Sequence, residues 1–410
     1  MDVRAAPVTM RTSTLAGILV ACALITSSIV FSEPAPADVL MMGVIAGVPI
    51  LGAAKFGRVA FLHLVLWLVI VAFGLAGTTM STIMPVAIVH QLVTLYLVLG
   101  AFVLAGYVAA DPEPRFRLVV WCYVIGCLIA CLAAFSGYFN LIPGTRELFT
   151  NFDRARGTFK DPNVFGAAVA PGLVLAVWML LRGSAQRIVL AAGVAVLLSL
   201  GLLISFSRGA WFSAAVSIVM LAWISFVMSR RQADVNRFIA VAAVGTLTLA
   251  GALGATLQID AVRNLMDQRA NLEQSYDSGP EGRFGGQEKA KKLILENPFG
   301  IGTHTFRETY HHEEPHNVYL SMFLNAGWIG GLVYIISVLA TLFVGLRGAF
   351  RATALQGPFL IASAAFTGLA LEGLIIDSDH WRHFFIFMGL IWGLADADEP
   401  ALKPTQRRTD

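Results

Sequence analysis

Charged residues are scarce in this chain. Asp, Glu, Lys and Arg make up 13% of its 410 residues, whereas a soluble globular domain carries about 25%. This shortage excludes an ordinary soluble fold. Hydrophobic residues reach 57%, and apolar runs of about 20 residues recur along almost the whole length, a pattern typical of a helical membrane protein. The net charge of +3 does not indicate nucleic-acid binding, so no nucleic-acid partner is expected.

Cysteine is also scarce, and the usual nucleotide motif is missing. Cys22, Cys122, Cys127 and Cys131 all lie in apolar runs without polar ligands beside them. They are therefore predicted to be packing residues rather than zinc ligands or disulfide partners. A glycine-rich phosphate loop ending in Lys-Ser/Thr is absent from the sequence, which argues against nucleotide hydrolysis. We expect neither a cofactor nor a metal ion.

The apolar runs predict an all-α integral membrane protein with about twelve spans. Residues 1–257 are predicted to hold helices 1–9, residues 258–315 a long periplasmic loop with short amphipathic helices, and residues 316–396 helices 10–12. Residues 397–410 are expected to form a cytoplasmic tail. Residues 14–32 are expected to be the first span rather than a cleaved signal peptide, because no small-residue cleavage site follows. The predicted spans are 14–32, 38–54, 59–77, 86–110, 116–141, 163–181, 187–206, 209–228, 237–257, 316–345, 357–377 and 383–396.

Basic residues predict the orientation of these spans. Short basic connections such as 182–187 and 230–237 lie at one set of ends, which the positive-inside rule assigns to the cytoplasm. The opposite short loops, 33–39 and 78–85, contain no Lys or Arg. Arg208 is an exception in a tight turn on the outer side. A cation so close to the membrane interior often marks function, although snorkelling to the interface is the alternative.

The long outer loop contains two predicted helices. Val262, Leu265, Met266, Arg269 and Leu272 have helical spacing with one apolar side. Lys289 to Glu296 predicts a second short amphipathic helix, ended by Asn297-Pro298. Helices of this kind often lie as a lid on a membrane face.

His316 and Asn317 stand where this loop ends and an apolar helix begins. An imidazole beside Glu313 and Glu314 can exchange protons at neutral pH, and either glutamate is a candidate to orient it. A polar cap at a helix start is the alternative interpretation.

Arginines gather on the same predicted face as His316. Guanidinium groups bind phosphate oxygens bidentately and keep their charge, so the cluster predicts an anionic ligand arriving from the membrane, such as a lipid-linked diphosphate. The set comprises Arg154, Arg156, Arg208, Arg283 and Arg307, with His304, His311, His312 and His316.

Other polar residues receive plainer interpretations. Asp161-Pro162-Asn163 is predicted to cap a helix. His63 and His90 are predicted to be packing residues. Asp377-Ser378-Asp379 is treated as a chance match to an acid-x-acid metal motif. Glu372 lies inside an apolar run and is expected to face a partner, for which an outer arginine is the candidate.

Several motifs resemble the O-antigen ligase and polymerase family of bacterial envelope glycosyltransferases. His316-Asn317, nine residues, Gly327, two residues and Gly330 match that family's His-[Asn/Ser/Gln]-x9-Gly-x2-[Gly/Thr/Tyr] pattern. Further similar segments, in chain order, are Arg154-x2-Gly-Thr-Phe-x-Asp-Pro-Asn163, Ser205-x-Ser-Arg-Gly209, Gly282-Arg283 and Asn297-Pro-Phe-Gly-Ile-Gly302.

The resemblance implies a metal-independent, C-type glycosyltransferase fold in the bacterial inner membrane, with its site facing the periplasm. The implied donor is a glycan on undecaprenyl diphosphate, and the implied acceptor of a ligase is a lipid A-core sugar. His316 would then activate the acceptor. Arg208 and Arg283 would stabilise the leaving diphosphate. The expected substrate-binding residues are Arg154, Arg156, Asn163, His304 and Asn317.

Two other functions remain open on the sequence. A polymerase of lipid-linked repeat units would use the same residues, and protein O-glycosylation is a further variant. A transporter is disfavoured because the polar groups gather at one face and the two halves show no repeat. Besides its substrates, the protein is expected to contact membrane lipids and to be monomeric.

Overall fold

The computed structural model describes residues 7–229, 231–256, 258, 279 and 282–398. It is 78% helical, and a helix occupies the position of each predicted span. Within the described residues, two further α-helices, a 3-10 turn (Thr78–Met80), a π-helical turn (Phe306–Tyr310) and one small hairpin lie outside those positions. The helices are α1 (Pro7–Thr26), α2 (Pro36–Ile50), α3 (Arg58–Gly77), α4 (Met84–Ala110), α5 (Pro112–Tyr138), α6 (Thr145–Phe149), α7 (Pro162–Arg182), α8 (Ala185–Ile204), α9 (Arg208–Val227), α10 (Gln232–Thr256), α11 (Arg283–Glu296), α12 (Val318–Ala349), α13 (Gln356–Glu372) and α14 (Arg382–Asp398).

Among the described residues, seven helices are long and apolar enough to cross a membrane. These are α3, α4, α5, α7, α8, α9 and α12, with α3 counted together with the 3-10 turn Thr78–Met80. The prediction of an all-α integral membrane protein is confirmed. The count of twelve spans and the periplasmic placement of the long loop stay predictions. The amphipathic segment predicted between Val262 and Leu272 and the tail beyond Asp398 lie outside the described residues.

The second predicted loop helix is longer than expected. α11 begins at Arg283, six residues before Lys289, and ends at Glu296 before Asn297 as predicted. Gly285 and Gly286 weaken helix propensity, which is why the sequence pattern misses the first turns. Packing overrides this preference, because α11 buries apolar side chains in a small second core. That core contains Ala290, Leu293, Ile301, Phe306 and Leu324.

Small residues bring α4 and α14 into close contact. A Cβ at Gly389 would lie 2.5 Å from the carbonyl oxygen of Ala101, and one at Gly393 would lie 2.4 Å from that of Ala105. Small residues four apart on facing helices allow such an approach, a common solution in membranes. The packing sets the position of the connector 373–381, which precedes α14, relative to α4.

α12 is broken at Gly327, where the backbone has φ 67° and ψ −172°. The loop after α11 packs into the break and satisfies the backbone groups that the helix releases there. The N–H of Trp328 donates to Pro298 O at 2.9 Å, and the N–H of Ile301 donates to Leu324 O at 2.8 Å. The glycines of the sequence pattern thus join the long loop to α12, and this contact positions the stretch 303–317 that follows.

A two-strand hairpin lies between α6 and α7. β1 (Thr150–Asn151) pairs antiparallel with β2 (Arg154–Ala155), with Asn151 opposite Arg154. Cys122, Cys127 and Cys131 are buried free thiols, as predicted for packing residues, whereas Cys22 is exposed.

Candidate functional site

His316 lies in a non-helical segment immediately before α12, with φ +50°. Its backbone N–H donates to the Asp377 carboxylate at 3.0 Å, and its Nδ1 lies 3.9 Å from the same oxygen. Its Nε2 lies 3.1 Å from Glu313 Oε2. The imidazole therefore has a carboxylate on each side, and 30% of it is exposed. A neutral imidazole in such a position can take a proton while the adjacent carboxylates stabilise the cation that forms.

Asp377 accepts a second hydrogen bond besides the one from His316. The Ser321 hydroxyl donates to its Oδ1 at 2.5 Å. Burial raises the pKa of Asp377 to about 6, although Ser321 and His316 act in the opposite direction. The carboxyl is therefore mostly ionised at neutral pH, and its ionisation is lost within a pH range that an enzyme assay can reach.

Asn317 is the N-cap of α12. Its Oδ1 accepts from the N–H of Leu320 at 3.2 Å, and its Nδ2 donates to Leu374 O at 3.0 Å. The N–H of Val318 donates to Gly373 O at 2.9 Å. The start of α12 is thus fastened to the connector 373–381, and in these contacts Asn317 positions its neighbour His316.

The same connector approaches the Arg208 turn. Glu372, the last residue of α13, is 1% exposed, and neither carboxylate oxygen has a hydrogen-bond partner within the described residues. A Cβ at Gly209 would lie 3.1 Å from Glu372 Oε1. Because Arg208 is the first residue of α9 and Gly209 the second, residues 372–377 contact the start of α9 at one end and His316 at the other.

Arg154 ties the hairpin to this turn. Its Nε donates to Ser205 O at 2.8 Å, and its Nη2 donates to Asn163 Oδ1 at 2.7 Å. Arg154 is 7% exposed, so these contacts are internal. Asp161 caps α7 as predicted, accepting from the N–H of Asn163 at 2.7 Å. Arg154 and Asn163 therefore hold the turn that precedes Arg208.

Arg156 makes its contacts elsewhere. Its guanidinium donates to Leu148 O at 3.1 Å and to Lys160 O at 3.4 Å. Both acceptors belong to the region of the hairpin, so these bonds do not bring Arg156 to the turn or to His316. Its role in substrate binding stays a prediction.

Arg283 reaches the site through α11. It is the first residue of that helix, and Gln287, one turn later, donates to His316 O at 3.4 Å. The N-terminal end of α11 therefore lies beside His316. Helix N-termini carry partial positive charge, which adds to the charge of the arginine.

His304 belongs to a second set of contacting side chains, which joins Glu314 to His90 and Asp379. Its Nδ1 is 2.8 Å from Glu314 Oε1, and this hydrogen bond raises the pKa of His304 although burial opposes the change. Its ring is 5.1 Å from the ring of His90. His90 in turn lies 2.9 Å from Asp379 Oδ2, and its ring is 3.9 Å from that of His380.

The interpretation of His90 as a packing residue was wrong, whereas that of Asp377-Ser378-Asp379 as a chance match to a metal motif stays a prediction. His90 has an acidic partner, and both aspartates contact histidines. These partners are separated by 61 residues for His316 and Asp377, and by nearly 300 for His90 and Asp379, so no local spacing reveals them. The duplicated acid in a connector between two apolar helices was the one available signal.

Arg382, the first residue of α14, has a carboxylate partner. Its Nε and Nη2 each donate to a different oxygen of Asp38 at 2.8 Å. This bidentate pair joins the start of α14 to the start of α2. The charge of Arg382 therefore has a structural explanation.

The site thus contains side chains of both charges. Carboxylates of Glu313, Glu314, Asp377 and Asp379 surround the histidines. Arginines occupy the starts of α9 and α11 and the neighbouring strand β2. Carboxylates accept hydrogen bonds from hydroxyl groups, whereas arginines bind phosphate. The arrangement can orient a polyhydroxylated molecule against an anionic one.

Comparison with known proteins agrees with the motifs. Residues 193–335 match the family model described as O-Antigen ligase. That stretch contains Arg208, Arg283, His304, His316 and Asn317, while Arg154, Arg156 and Asn163 precede it. None of the curated proteins matches the chain.

The family indicates an activity of the O-antigen ligase or polymerase type in a multi-pass bacterial membrane protein. It also implies lipid-linked glycan substrates and contact with membrane lipids. The resemblance predicted from the sequence is confirmed for residues 193–335, which are similar to the O-antigen ligase family.

Proposed function

We propose that this protein is a ligase that transfers an O-antigen-like polysaccharide from undecaprenyl diphosphate to a hydroxyl of a lipid A-core sugar, at the periplasmic face of the inner membrane. One observation carries the proposal. Residues 372–377 contact His316 at one end and the start of α9, which carries Arg208, at the other. One short segment thereby contacts both the proposed proton acceptor and the helix start that carries the proposed phosphate-binding cation.

In the proposed reaction, the acceptor hydroxyl oxygen attacks the anomeric carbon of the donor. The bond between that carbon and the diphosphate oxygen breaks, and its electron pair leaves on the phosphate. The hydroxyl proton passes to Nε2 of His316. The products are the glycosylated acceptor, undecaprenyl diphosphate with one more negative charge, and a proton that His316 then releases to solvent, so atoms and charge balance.

His316 acts as the general base, an effect worth about 10²–10⁴ in rate. Asp377 stands at its Nδ1 and stabilises the imidazolium that forms. Glu313 lies at Nε2 and 53% of its side chain is exposed, so the acceptor hydroxyl can take its place without disturbing a packed core. Glu313 and Glu314 then accept hydrogen bonds from other acceptor hydroxyls.

Arg208 and Arg283 stabilise the charge that develops on the leaving diphosphate, in the place that a metal ion takes in other transferases. Arg154 and Asn163 hold the turn before Arg208, and the cation of Arg154 adds to the positive field. His304 completes the binding surface in this proposal, whereas the observed contacts of Arg156 keep it at the hairpin.

An apolar groove supports a lipid-linked donor. It has a volume of about 400 Å³ and lies along α8 and α10, from Ile188 and Arg237 to Leu203. Leu203 is five residues before Arg208, so the outer end of the groove reaches the arginine turn. A polyprenyl chain in the groove would place its diphosphate at the arginines.

The test uses purified protein in lipid nanodiscs, a lipid-linked glycan and lipid A-core, with product mass as the readout. The His316→Gln variant should lose transfer by about 10²-fold or more while it still binds the donor. His63→Gln is the matched control, because this buried histidine lies on the first turns of α3 and bonds Val59 O. Normal transfer by His316→Gln would refute the assignment of the base.

The same assay separates ligase from polymerase. A ligase leaves the lipid-linked glycan unchanged until lipid A-core is added. A polymerase lengthens the lipid-linked glycan without that acceptor. Growth of the donor in the absence of lipid A-core would replace the ligase proposal by the polymerase one.

A further inference from the structure

Three metal-binding side chains converge beside the candidate site. His90 comes from α4, and Asp379 and His380 come from the connector 373–381. One ligand atom of each lies within 4.8 Å of those of the other two. The two imidazole rings are 3.9 Å apart and tilted by 33°, and only 11% of His90 and 13% of Asp379 remain exposed.

We propose that His90, Asp379 and His380 bind a divalent transition-metal ion of the zinc type. Two imidazoles and one carboxylate are ligands that such ions prefer, whereas calcium and magnesium favour sites made only of oxygen. His90 Nε2 and Asp379 Oδ2 are 2.9 Å apart, and they would move slightly apart on binding, since ligands about 2.0–2.2 Å from a tetrahedral ion are about 3.3–3.6 Å from each other. The ion would draw the ligand nitrogen of His380 slightly closer to the other two ligand atoms.

A second layer of contacts supports this arrangement. Thr94 Oγ1 lies 3.0 Å from Nε2 of His380 and also donates to His90 O at 3.2 Å. Metal-bound histidines usually donate their other ring N–H to such an acceptor, which fixes the ring. With Nε2 bonded to Thr94, Nδ1 is the ligand atom of His380.

The ion would fasten the connector 373–381 to α4. Asp377 lies on that connector, two residues before Asp379, and contacts His316. The site therefore positions the partner of His316, and no step of the proposed transfer passes through the ion. Binding of the ion does not depend on the proposed activity, so the failure of one proposal leaves the other standing.

The experiment measures metal binding directly. The protein, purified with a histidine-free tag and stripped with a chelator, is titrated with Co²⁺ and, separately, dialysed against Zn²⁺ for elemental analysis. We expect one ion per chain and the visible absorption bands of protein-bound Co²⁺. Asp379→Asn and His380→Ala should weaken binding more than 10-fold, and Thr94→Val by about 10-fold. His63→Gln should bind as the wild type does.

A thermal melt separates a lost site from a lost fold. Thr94→Val keeps all three ligands and the shape of the side chain, so it tests the site even where Asp379→Asn does not fold. Zn²⁺ should raise the melting temperature of the wild type and of His63→Gln, but not that of His380→Ala. A wild-type protein without a stoichiometric ion, or ligand variants with unchanged affinity, would overturn the proposal.

Discussion

Replacing Gly327 by alanine tests whether the break in α12 builds the site. The residue has φ +67° and ψ −172°, a region that is nearly restricted to glycine. An added Cβ would lie 2.6 Å from Pro298 O and 2.8 Å from the carbonyl carbon of Phe299. Both are backbone atoms, so the collision cannot be relieved by turning a side chain.

The expected loss of stability follows from these two effects. Strained backbone costs about 1–3 kcal/mol, and overpacking costs a further ~1–3 kcal/mol. Alanine also lowers the conformational entropy of the unfolded chain, which offsets about 0.4–1 kcal/mol of this loss of stability. We therefore expect the free energy of unfolding to fall by about 1–6 kcal/mol. The displaced loop leads to His304 and His316, so transfer activity should fall as well.

A thermal melt with a thiol-reactive dye measures the effect, because Cys122, Cys127 and Cys131 are buried free thiols that react on unfolding. Gly193→Ala is the matched control, since nothing lies within 4 Å of a Cβ at that position in α8. It should be neutral or stabilising. A Gly327→Ala variant that melts with Gly193→Ala, or above the wild type, would refute the account of the break.

Four further predictions concern the charges and the packing. Transfer by the wild type should fall as the pH drops through about 6, because burial raises the pKa of Asp377 to about 6 and proton uptake removes the negative charge beside His316; equal initial rates at low and neutral pH would contradict this. Asp377→Asn should lower the rate about tenfold or more at neutral pH, a part of what a positioned base contributes, with donor binding unchanged in a pull-down on lipid-linked glycan. Arg208→Lys should transfer poorly although its charge is kept, because the bidentate geometry is lost; wild-type kinetics would exclude that role. Gly389→Val should lower the melting temperature, since its side chain would meet the backbone of α4 at Ala101, and a normal melt would argue against this contact.

Most of the helical framework was predictable. Long apolar runs must form helices in a membrane, because hydrocarbon cannot satisfy exposed backbone groups. The bounds of α3 and α4, for example, lie within two residues of the predicted spans. The prediction was poorest where packing overrides local preference, as in the glycine-rich start of α11.

The candidate site was predictable in part. His316, Asn317 and the Arg208 turn belong to short contiguous motifs, so their chemistry is visible in the order of residues. Their partners are not, because Asp377 and Asp379 reach His316 and His90 only through the folding of α13 and α14 onto α12 and α4. His90 was therefore misjudged as a packing residue.

The sequence by itself determined the membrane class, the family motifs and the identity of the proposed base, since each depends on composition or on spacing along the chain. The tertiary structure alone decided which carboxylates accompany each histidine, why Gly327 must be glycine, and that Arg154 holds the turn before Arg208. These contacts join residues far apart in the chain, and close packing between helices, such as that of Gly389 and Gly393 against α4, is what brings them together.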